Sequence, residues 1–271
     1  MSDNSRMPVV FFAHGSPTNA LEDNTSTKAW ARTAGIVGRP KAILSISAHW
    51  CTQGTTAVTA MAKPRTIHDF GRGLPAPLFD IQYPAPGDPE LAARVCELLA
   101  PMPVQMDQSW GLDHGTWSAL SKAYPEADIP VVQLSMDMSK PGAWHFDIGR
   151  MLRPLRDENV LIIGSGNVVH NLGVMDWDEA SEPYDWAVRF NDFVRNCISK
   201  NTPEKLFDYG ALGGALGEDA ARSIPGPDHY WPLLYALGAR HQDDNVSFEP
   251  DFIQYRSLSM MSFLLDDRQT G

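Results

Sequence analysis

Short apolar runs separated by amphipathic stretches are the feature of this chain that most restricts its fold. Several of the runs are almost unbroken, as is typical of strands that are buried on both faces of a sheet. They occupy residues 8–13, 41–47, 56–61, 130–135 and 159–163. This pattern predicts a central sheet that is covered by helices on both sides.

Amphipathic helices are predicted between these strands. The clearest is 89–100, because Pro89 stands in its first turn and Leu91, Val95 and Leu99 recur on one face. Similar patterns cover residues 116–123, 143–156 and 184–200. Strands that alternate with helices are typical of α/β proteins with a largely parallel sheet.

We therefore predict a three-layer α/β/α fold with a largely parallel or mixed central sheet. Residues 247–265 are predicted as further strand, antiparallel and at an edge. The chain contains no internal repeat and no stretch that resembles a linker, so residues 1–271 are predicted to form a single catalytic domain.

Composition and charge exclude several classes of protein. Of the 271 residues, 43% are hydrophobic, which is enough for a sizeable core. The net charge of -11 argues against nucleic acid as a partner. No apolar run approaches the roughly 20 residues of a membrane span, and residues 1–6 lack a signal-peptide pattern. Three widely spaced cysteines indicate no disulfide framework. We expect a cytoplasmic protein without membrane or nucleic-acid partners, whose oligomeric state the sequence does not indicate.

Five of the eight histidines share a context. Each follows a predicted strand or stands in a loop beside Gly, Pro or Asp, and they are His14, His49, His114, His170 and His229. In open α/β sheets the carboxyl ends of the strands form the ligand crevice, so histidines that are distant in sequence meet there. One such histidine alone would indicate a capping or loop residue. All five together favour a metal site built from several histidines.

The remaining three histidines stand in other contexts. His68 and His241 lie in polar loops and His145 lies within a predicted helix. We expect these three at the surface or behind the site.

The type of ligand restricts which metal ion the site is able to bind. Neutral imidazoles suit zinc, iron, copper and nickel, whereas calcium and magnesium prefer oxygen ligands. Three protein ligands with an open coordination position are typical of a catalytic centre. The residues themselves leave the choice between Fe(II) and zinc open.

The histidines stand in five ordered motifs, which are HGSP at 14–17, SAHW at 47–50, GLDHGTW at 111–117, GSGNVVHNL at 164–172 and PGPDHYWPLLYALG at 225–238. In this set the chain resembles the class III extradiol ring-cleavage dioxygenases of the LigB superfamily. The nearest branch is the 4,5-DOPA dioxygenase-like proteins, which the segments 81–95 and 124–137 also resemble. The resemblance spans nearly the whole chain.

The resemblance implies a non-haem Fe(II) site, with zinc in some relatives. It assigns His14, His49 and His229 as metal ligands, His170 as the acid–base residue, and His114 as a residue behind the metal or in contact with substrate. Asp228 is the alternative third ligand, because better-known members of the superfamily use a carboxylate there.

The implied substrate is a catechol of the DOPA kind, which dioxygen converts to a semialdehyde. Within the motifs, Ser16, Trp50, Asp113 and Tyr230 are expected to contact it. Gly226 and the segment 71–73 depart from the branch pattern, which indicates altered substrate contacts.

Two other functions compete with this one. The same histidines would suit a zinc-dependent hydrolase or lyase, or a protein that binds a metal or a phenol without turnover.

Overall fold

A computed structural model of the protein describes residues 6–178 and 180–267. Its strands are β1 (Val9–Ala13), β2 (Ala42–Thr52), β3 (Thr56–Thr59), β4 (Val104–Asp107), β5 (Val131–Asp137), β6 (Val160–Gly166), β7 (Asn245–Phe248), β8 (Ile253–Gln254), β9 (Leu258–Ser259) and β10 (Phe263–Asp266). Its α-helices are α1 (Thr25–Val37), α2 (Pro89–Leu99), α3 (His114–Ala123), α4 (Gly142–Leu152), α5 (Asp185–Ser199), α6 (Gly214–Ser223) and α7 (Trp231–Gly238). The first and last few residues of the predicted domain lie outside the described residues.

Eight of the strands form one mixed sheet, in the order β4-β3-β5-β2-β6-β1-β10-β7. The four central strands β5, β2, β6 and β1 are parallel to one another. Strands β10 and β7 continue the sheet antiparallel to β1, and β3 pairs antiparallel with β5. The predicted sheet type is therefore confirmed, and so is the antiparallel strand near the C-terminus. However, β10 lies inside the sheet and β7 forms the edge.

Side chains on the central strands alternate between two apolar layers. In β1, Val9 and Phe11 pack into the layer that holds α2, α4, α5 and α7. Val10 and Phe12 point the other way, into the layer that holds α1 and α3. Both faces of the sheet are thus covered by helices, as the unbroken apolar runs predict.

Two secondary-structure elements end at residues other than those predicted from the sequence. The helix predicted over 143–156 ends at Leu152 and continues as a 3-10 helix (Arg153–Glu158), because Pro154 cannot continue the α-helical hydrogen bonding. The strand predicted over 41–47 runs on to Thr52, which carries His49 within the strand rather than after it.

A fully buried ion pair joins the Arg153–Glu158 segment to the turn before β7. The guanidinium of Arg156 donates to both carboxylate oxygens of Asp244, at 2.5 and 2.9 Å. It also donates to the carbonyl oxygens of Met7 and Ala239. A buried charge is tolerated when it is paired and hydrogen-bonded in this way.

Candidate metal centre and active site

Five histidine rings meet at the carboxyl ends of the central parallel strands. His14 follows β1, His49 lies in the last part of β2, and His170 follows β6. His114 is the first residue of α3, and His229 precedes α7. These are the five that the sequence analysis singled out, so their predicted convergence is confirmed.

His14 is completely buried, and its orientation is fixed by a chain of two hydrogen bonds. The hydroxyl of Ser165, on β6, donates to the carbonyl oxygen of Gly115. Its oxygen therefore accepts from Nδ1 of His14, at 2.9 Å. This arrangement selects the tautomer that leaves the Nε2 lone pair of His14 free for a metal ion.

His49 reaches the site because β2 bulges. The β2–β5 register passes from Ile46 opposite Leu134 to Cys51 opposite Met136, so β2 has extra residues between these pairs. A bulge of this kind bends a strand and redirects a side chain. The Nε2 atom of His49 consequently lies 3.1 Å from that of His14.

The first turn of α3 packs directly on these two rings, and only glycine fits there. A Cβ at Gly115 would lie 2.5 Å from the Ser47 hydroxyl and 2.8 Å from His49 Cδ2. The buried carboxylate of Asp113 caps this helix, since it accepts from the backbone N–H of Thr116. The cap fixes the position of His114, the next residue.

Asp69 lies behind His49 and His114. One of its carboxylate oxygens is 3.0 Å from His114 Nδ1, and the other is 3.5 Å from His49 Nδ1. Burial alone would raise the pKa of Asp69, but the hydrogen bond and charge of His114 lower it below its ordinary value. The carboxylate thus stays ionised beside the Nδ1 atoms of both rings, which is where a carboxylate orients a metal-binding histidine.

His229 is held by its neighbour in sequence. Its Nδ1 lies 2.5 Å from a carboxylate oxygen of Asp228, and its carbonyl oxygen accepts from the backbone N–H of Asn167 beyond β6. Burial would raise the pKa of Asp228, whereas the hydrogen bond from His229 lowers it. Asp228 therefore contacts the far side of the His229 ring, where a carboxylate orients a metal-binding histidine.

His170 stacks face to face on His229. The ring centroids are 3.5 Å apart and the planes differ by 4°. Burial, followed by the nearby His229, lowers the pKa of His170 to about 3. The ring is therefore neutral at pH 7, which is the form that accepts a proton.

Two sets of three histidines share His14 and His49. The rings of His14, His49 and His229 form a nearly equilateral triangle, with centroid separations of 5.0, 5.3 and 5.0 Å. Nitrogen atoms of His14, His49 and His114 also lie within 4.8 Å of one another. His229, which the resemblance assigns as third ligand, is not in that closer group.

The spacing of the rings tests how well each set fits a metal ion. With a metal–nitrogen bond of about 2.1 Å, each ring centroid lies about 3.2 Å from the ion, so two imidazoles at an angle of about 90–110° have centroids about 4.6–5.3 Å apart. The sides of the His14–His49–His229 triangle, 5.0 to 5.3 Å, lie within this range. The centroids of His49 and His114 are only 3.8 Å apart, so these rings contact one another as neighbours.

The charge state of the two shared histidines also fits a metal ion. Burial, followed by the surrounding imidazoles, holds the pKa of His14 well below its ordinary value, and the same causes lower the pKa of His49. Both rings are therefore neutral at pH 7, and no proton has to leave before a cation binds.

A cavity of about 280 Å³ opens over the histidines. His49, His114, His170 and His229 line its floor. This volume lies near the lower limit for small-molecule sites, and it suits a ligand with one aromatic ring.

Only one of the four residues expected to contact substrate lines this cavity, namely Ser16. Trp50 is buried and stacks on Trp110, because neighbours along a strand point to opposite sides. Asp113 is buried as the helix cap, where it also accepts from Ser47 and Gln133. Tyr230 is buried and its hydroxyl donates to the carbonyl oxygen of Leu206. The structure therefore places these three behind the site rather than in it.

The remaining histidines lie outside the cluster. His145 was expected near the surface or behind the site, but it is fully buried in the helical layer, where it stacks on Trp231 and contacts the Tyr235 hydroxyl. His68 is half-buried and bonds the carbonyl oxygen of Ile81. His241 is half-buried in the turn before β7.

Two residues that orient the cluster were missed from the sequence. Ser165 lies within the motif GSGNVVHNL at 164–172, which was singled out for His170, and Asp69 directly follows His68. The one available signal for Asp69 was an isolated acidic residue beside an aromatic one. Spacing along the chain does not relate either residue to the histidine that it contacts.

Comparisons with known proteins identify the family of this chain. Residues 7–264 match the family described as the catalytic LigB subunit of aromatic ring-opening dioxygenase. The chain therefore belongs to this family, and it is an extradiol dioxygenase of the 4,5-DOPA type, an oxidoreductase.

Its relatives are similar over most of their length. The 4,5-DOPA dioxygenase extradiol of Escherichia coli K12 is 50% identical over 263 residues, which cover 95% of this chain and 94% of that one. The 4,5-DOPA dioxygenase extradiol of Beta vulgaris is 38% identical, with 90% of this chain and 91% of that one covered. The crystal structure of an uncharacterized protein from Escherichia coli K12 superposes with a TM-score of 0.81 at 44% identity, covering 96% of this chain and 99% of that one.

The described α-helices do not meet the requirements of a membrane span. Within residues 6–178 and 180–267, none is both long and apolar enough to cross a bilayer.

Proposed function

We propose that this protein is a non-haem Fe(II) enzyme that opens the ring of a catechol with dioxygen and yields a semialdehyde. The observation that carries the proposal is the triangle of His14, His49 and His229, whose centroid separations of 5.0 to 5.3 Å suit three ligands on one ion. The chain acts as a single catalytic domain in this proposal. The free state of its three cysteines accords with a cytoplasmic location.

The three ligands of the proposed site are neutral. A divalent ion held by three imidazoles keeps its full charge, which favours a chelating catecholate and lowers the pKa of the catechol hydroxyls. Fe(II) would supply the redox chemistry that allows dioxygen to react with the electron-rich ring, whereas zinc in its place would leave only Lewis-acid chemistry.

His170 is the residue proposed to move protons. It lines the cavity, and its ring is neutral at pH 7 because burial lowers its pKa to about 3. We propose that the lone pair of this ring takes a phenolic proton when the substrate binds, and that the low pKa, which disfavours the protonated ring, promotes the return of the proton later in the reaction. Its stacking on His229 holds it beside the proposed ligands.

His114 and Ser16 are proposed to position the substrate. The carboxylate of Asp69 lies 3.0 Å from Nδ1 of His114, and His114 lines the cavity. The edge of the Phe70 ring packs against His114, with centroids 5.4 Å apart. A flat aromatic substrate would lie between this aromatic wall and the hydroxyl of Ser16.

Oxygen uptake tests the proposal. The protein is loaded anaerobically with Fe(II), mixed with each of a panel of catechols, and transferred to an oxygen electrode. We expect stoichiometric oxygen consumption and a yellow semialdehyde product. Absence of uptake with every catechol at full iron occupancy would overturn the proposal, and the zinc-loaded protein serves as the control without redox chemistry.

A further inference from the structure

A chain of hydrogen bonds between buried side chains connects helix α5 to the segment 167–170, which ends at His170. We call it the polar chain, and its members are Asp251, Asn191, Ser259 and Asn167. The last three are buried, although they lie on α5, on β9 and directly after β6. Buried polar groups are costly unless they are hydrogen-bonded, so the polar chain favours one arrangement of these three elements.

Asn191 is the polar member of a buried helix face that is otherwise apolar. The face includes Ala187, Phe190 and Val194. Packing alone would favour another apolar side chain at this position, because an amide without partners loses free energy on burial. The polar side chain is explained by the hydrogen bonds that it makes.

The direction of these hydrogen bonds follows from Asp251. Its carboxylate, which also pairs with Arg195 at 2.8 Å, accepts from the amide nitrogen of Asn191 at 3.0 Å. The amide oxygen of Asn191 therefore faces Ser259, whose hydroxyl donates to it at 2.6 Å. The hydroxyl oxygen accepts in turn from the backbone N–H of Met261. Both polar atoms of the Asn191 amide are thus bonded, and the Ser259 hydroxyl is fixed.

Ser259 and its neighbour hold the segment 167–170 at three points. The carbonyl oxygen of Ser259 accepts from the side-chain amide of Asn167 at 2.7 Å. Its backbone N–H donates to the carbonyl oxygen of Val169 at 2.9 Å. Leu258 forms an isolated β-bridge with His170 itself. The position of His170 therefore depends on where β9 lies.

The same segment also contacts the proposed ligand His229. The backbone N–H of Asn167 donates to the carbonyl oxygen of His229 at 2.8 Å. The rings of His170 and His229 stack with centroids 3.5 Å apart. The alignment of the proposed acid–base residue over its neighbouring ligand is thus set by the backbone that the polar chain holds.

We infer that Asn191 is a positioning residue for proton transfer, because it sets the location of His170 through Ser259. This inference rests on the proposed function, in which His170 exchanges protons with the substrate. Asn191 is not among the described residues that line the cavity. Misplacement of a reacting group by about 1 Å costs about 10²-fold in rate, so we expect partial loosening of the segment to lower kcat by about tenfold.

Hydrogen–deuterium exchange of the metal-free protein tests the placement without turnover. The backbone N–H groups at 167 and 170 donate to carbonyl oxygens of other elements, so their exchange reports how firmly the segment is held. Asn191→Leu should speed exchange in the peptide 165–172 by about tenfold relative to the strand 131–137. Asn196→Leu, an exposed change on the same helix, should leave this ratio unchanged. An unchanged ratio in Asn191→Leu would show that Asn191 supports only overall stability, and would overturn the inference.

Kinetics of the iron-loaded enzyme with L-DOPA test the link to His170. Asn191→Leu should lower kcat per bound iron by about tenfold and change KM by less than about threefold, since His170 acts on bound substrate. The same substitution in the His170→Ala enzyme should lower the residual kcat by less than about twofold, because the residue through which Asn191 acts is then absent. An equal loss in both backgrounds would overturn the inference.

Ser259→Ala breaks the same hydrogen bond from its other end and removes a single oxygen atom. It should reproduce the faster exchange and the lower kcat, and it provides both measurements if Asn191→Leu does not fold. The double variant should lose no more activity than either single variant, because the two side chains share one hydrogen bond. Losses that add in the double variant would show that the two residues act separately, and would overturn the inference.

The two proposals fail in different ways. If the wild-type enzyme turns over no catechol, the proposed function is wrong and this inference fails with it. If catechols are turned over and Asn191→Leu keeps the wild-type kcat, only the positioning role of Asn191 is wrong.

Discussion

Nδ1 of His14 and the hydroxyl of Ser165 lie 2.9 Å apart, and this contact fixes the tautomer of a completely buried histidine. Ser165 in turn donates to the carbonyl oxygen of Gly115. Through this chain, β6 and the first turn of α3 jointly orient a side chain that follows β1. The affinity for a metal ion at His14 therefore depends on the Ser165 hydroxyl.

Ser165→Ala should weaken metal binding by about 10- to 100-fold, since the ring of His14 loses the group that orients it. Competition with a chromogenic chelator measures the affinity. Ser45→Ala is the matched control, because it removes a buried hydroxyl that bonds Thr116 and no histidine. Equal affinities for the wild-type protein and Ser165→Ala would contradict this role.

His170→Ala should retain iron and lower kcat by about 10²–10⁴-fold, the usual contribution of a general acid–base residue. Iron content and kcat are measured on the same preparation. His241→Ala, which removes a histidine that does not line the cavity, should leave kcat nearly unchanged. If His170→Ala loses iron in proportion to activity, His170 is instead a ligand.

Asp244→Asn should lower the free energy of unfolding by about 3–5 kcal/mol, because it leaves the buried Arg156 without its counterion. Asp243 is 65% exposed in its ion pair with Arg6. Asp243→Asn should accordingly change the free energy of unfolding far less than Asp244→Asn does, because solvent screens an exposed ion pair. Urea denaturation of both variants measures the two changes in the free energy of unfolding. Similar decreases for the two variants would show that the buried ion pair contributes no more to stability than the exposed one.

His145 should make the protein less stable in acid. Burial lowers its pKa to about 4 in the folded state, whereas it titrates near 6.5 when unfolded. The unfolded state therefore binds the proton more readily, and the stabilising contribution that is complete above pH 6.5 is lost as the pH falls towards 4. Between pH 7 and 5 the loss is about 2 kcal/mol.

His145→Asn removes this titration and keeps a polar group beside the Tyr235 hydroxyl. The variant should lose less free energy of unfolding than the wild-type protein between pH 7 and 5. Urea denaturation in the presence of a chelator avoids any contribution from metal release. Parallel pH dependences for the two proteins would contradict the assigned pKa.

Much of the fold followed from periodicity, because the central strands are apolar on both faces. Helix α1 was not predicted, and its composition explains the omission. Its buried face mixes Ser26, Thr27 and Thr33 with small or aromatic residues, so its apolar stripe is weak; the apolar members are Ala29, Trp30, Ala34 and Val37. Strand β4 was missed for a related reason, since it is short and its residues are half-buried or exposed.

The sequence predicted which histidines belong to the candidate site, but it did not predict how the surrounding side chains are arranged. The five histidines stand out because each lies beside a strand end or in a loop of small residues. The direction in which a side chain next to a histidine points depends on the tertiary structure. For this reason Ser16 lies in the cavity, whereas Trp50 and Tyr230 are buried behind it. The burial of His145 was not predictable for the same reason. A histidine in a predicted helix is expected on the polar face unless its packing is known.

The third metal ligand is the most direct test of the account. Fe(II) is titrated anaerobically into the wild-type protein, His229→Ala and His114→Ala, and bound iron is measured together with the fold by circular dichroism. We predict that His114→Ala binds iron nearly as the wild-type protein does, and that His229→Ala loses at least about 100-fold in affinity while remaining folded. Retention of iron by His229→Ala together with its loss from His114→Ala would contradict the account and would assign the ion to His14, His49 and His114.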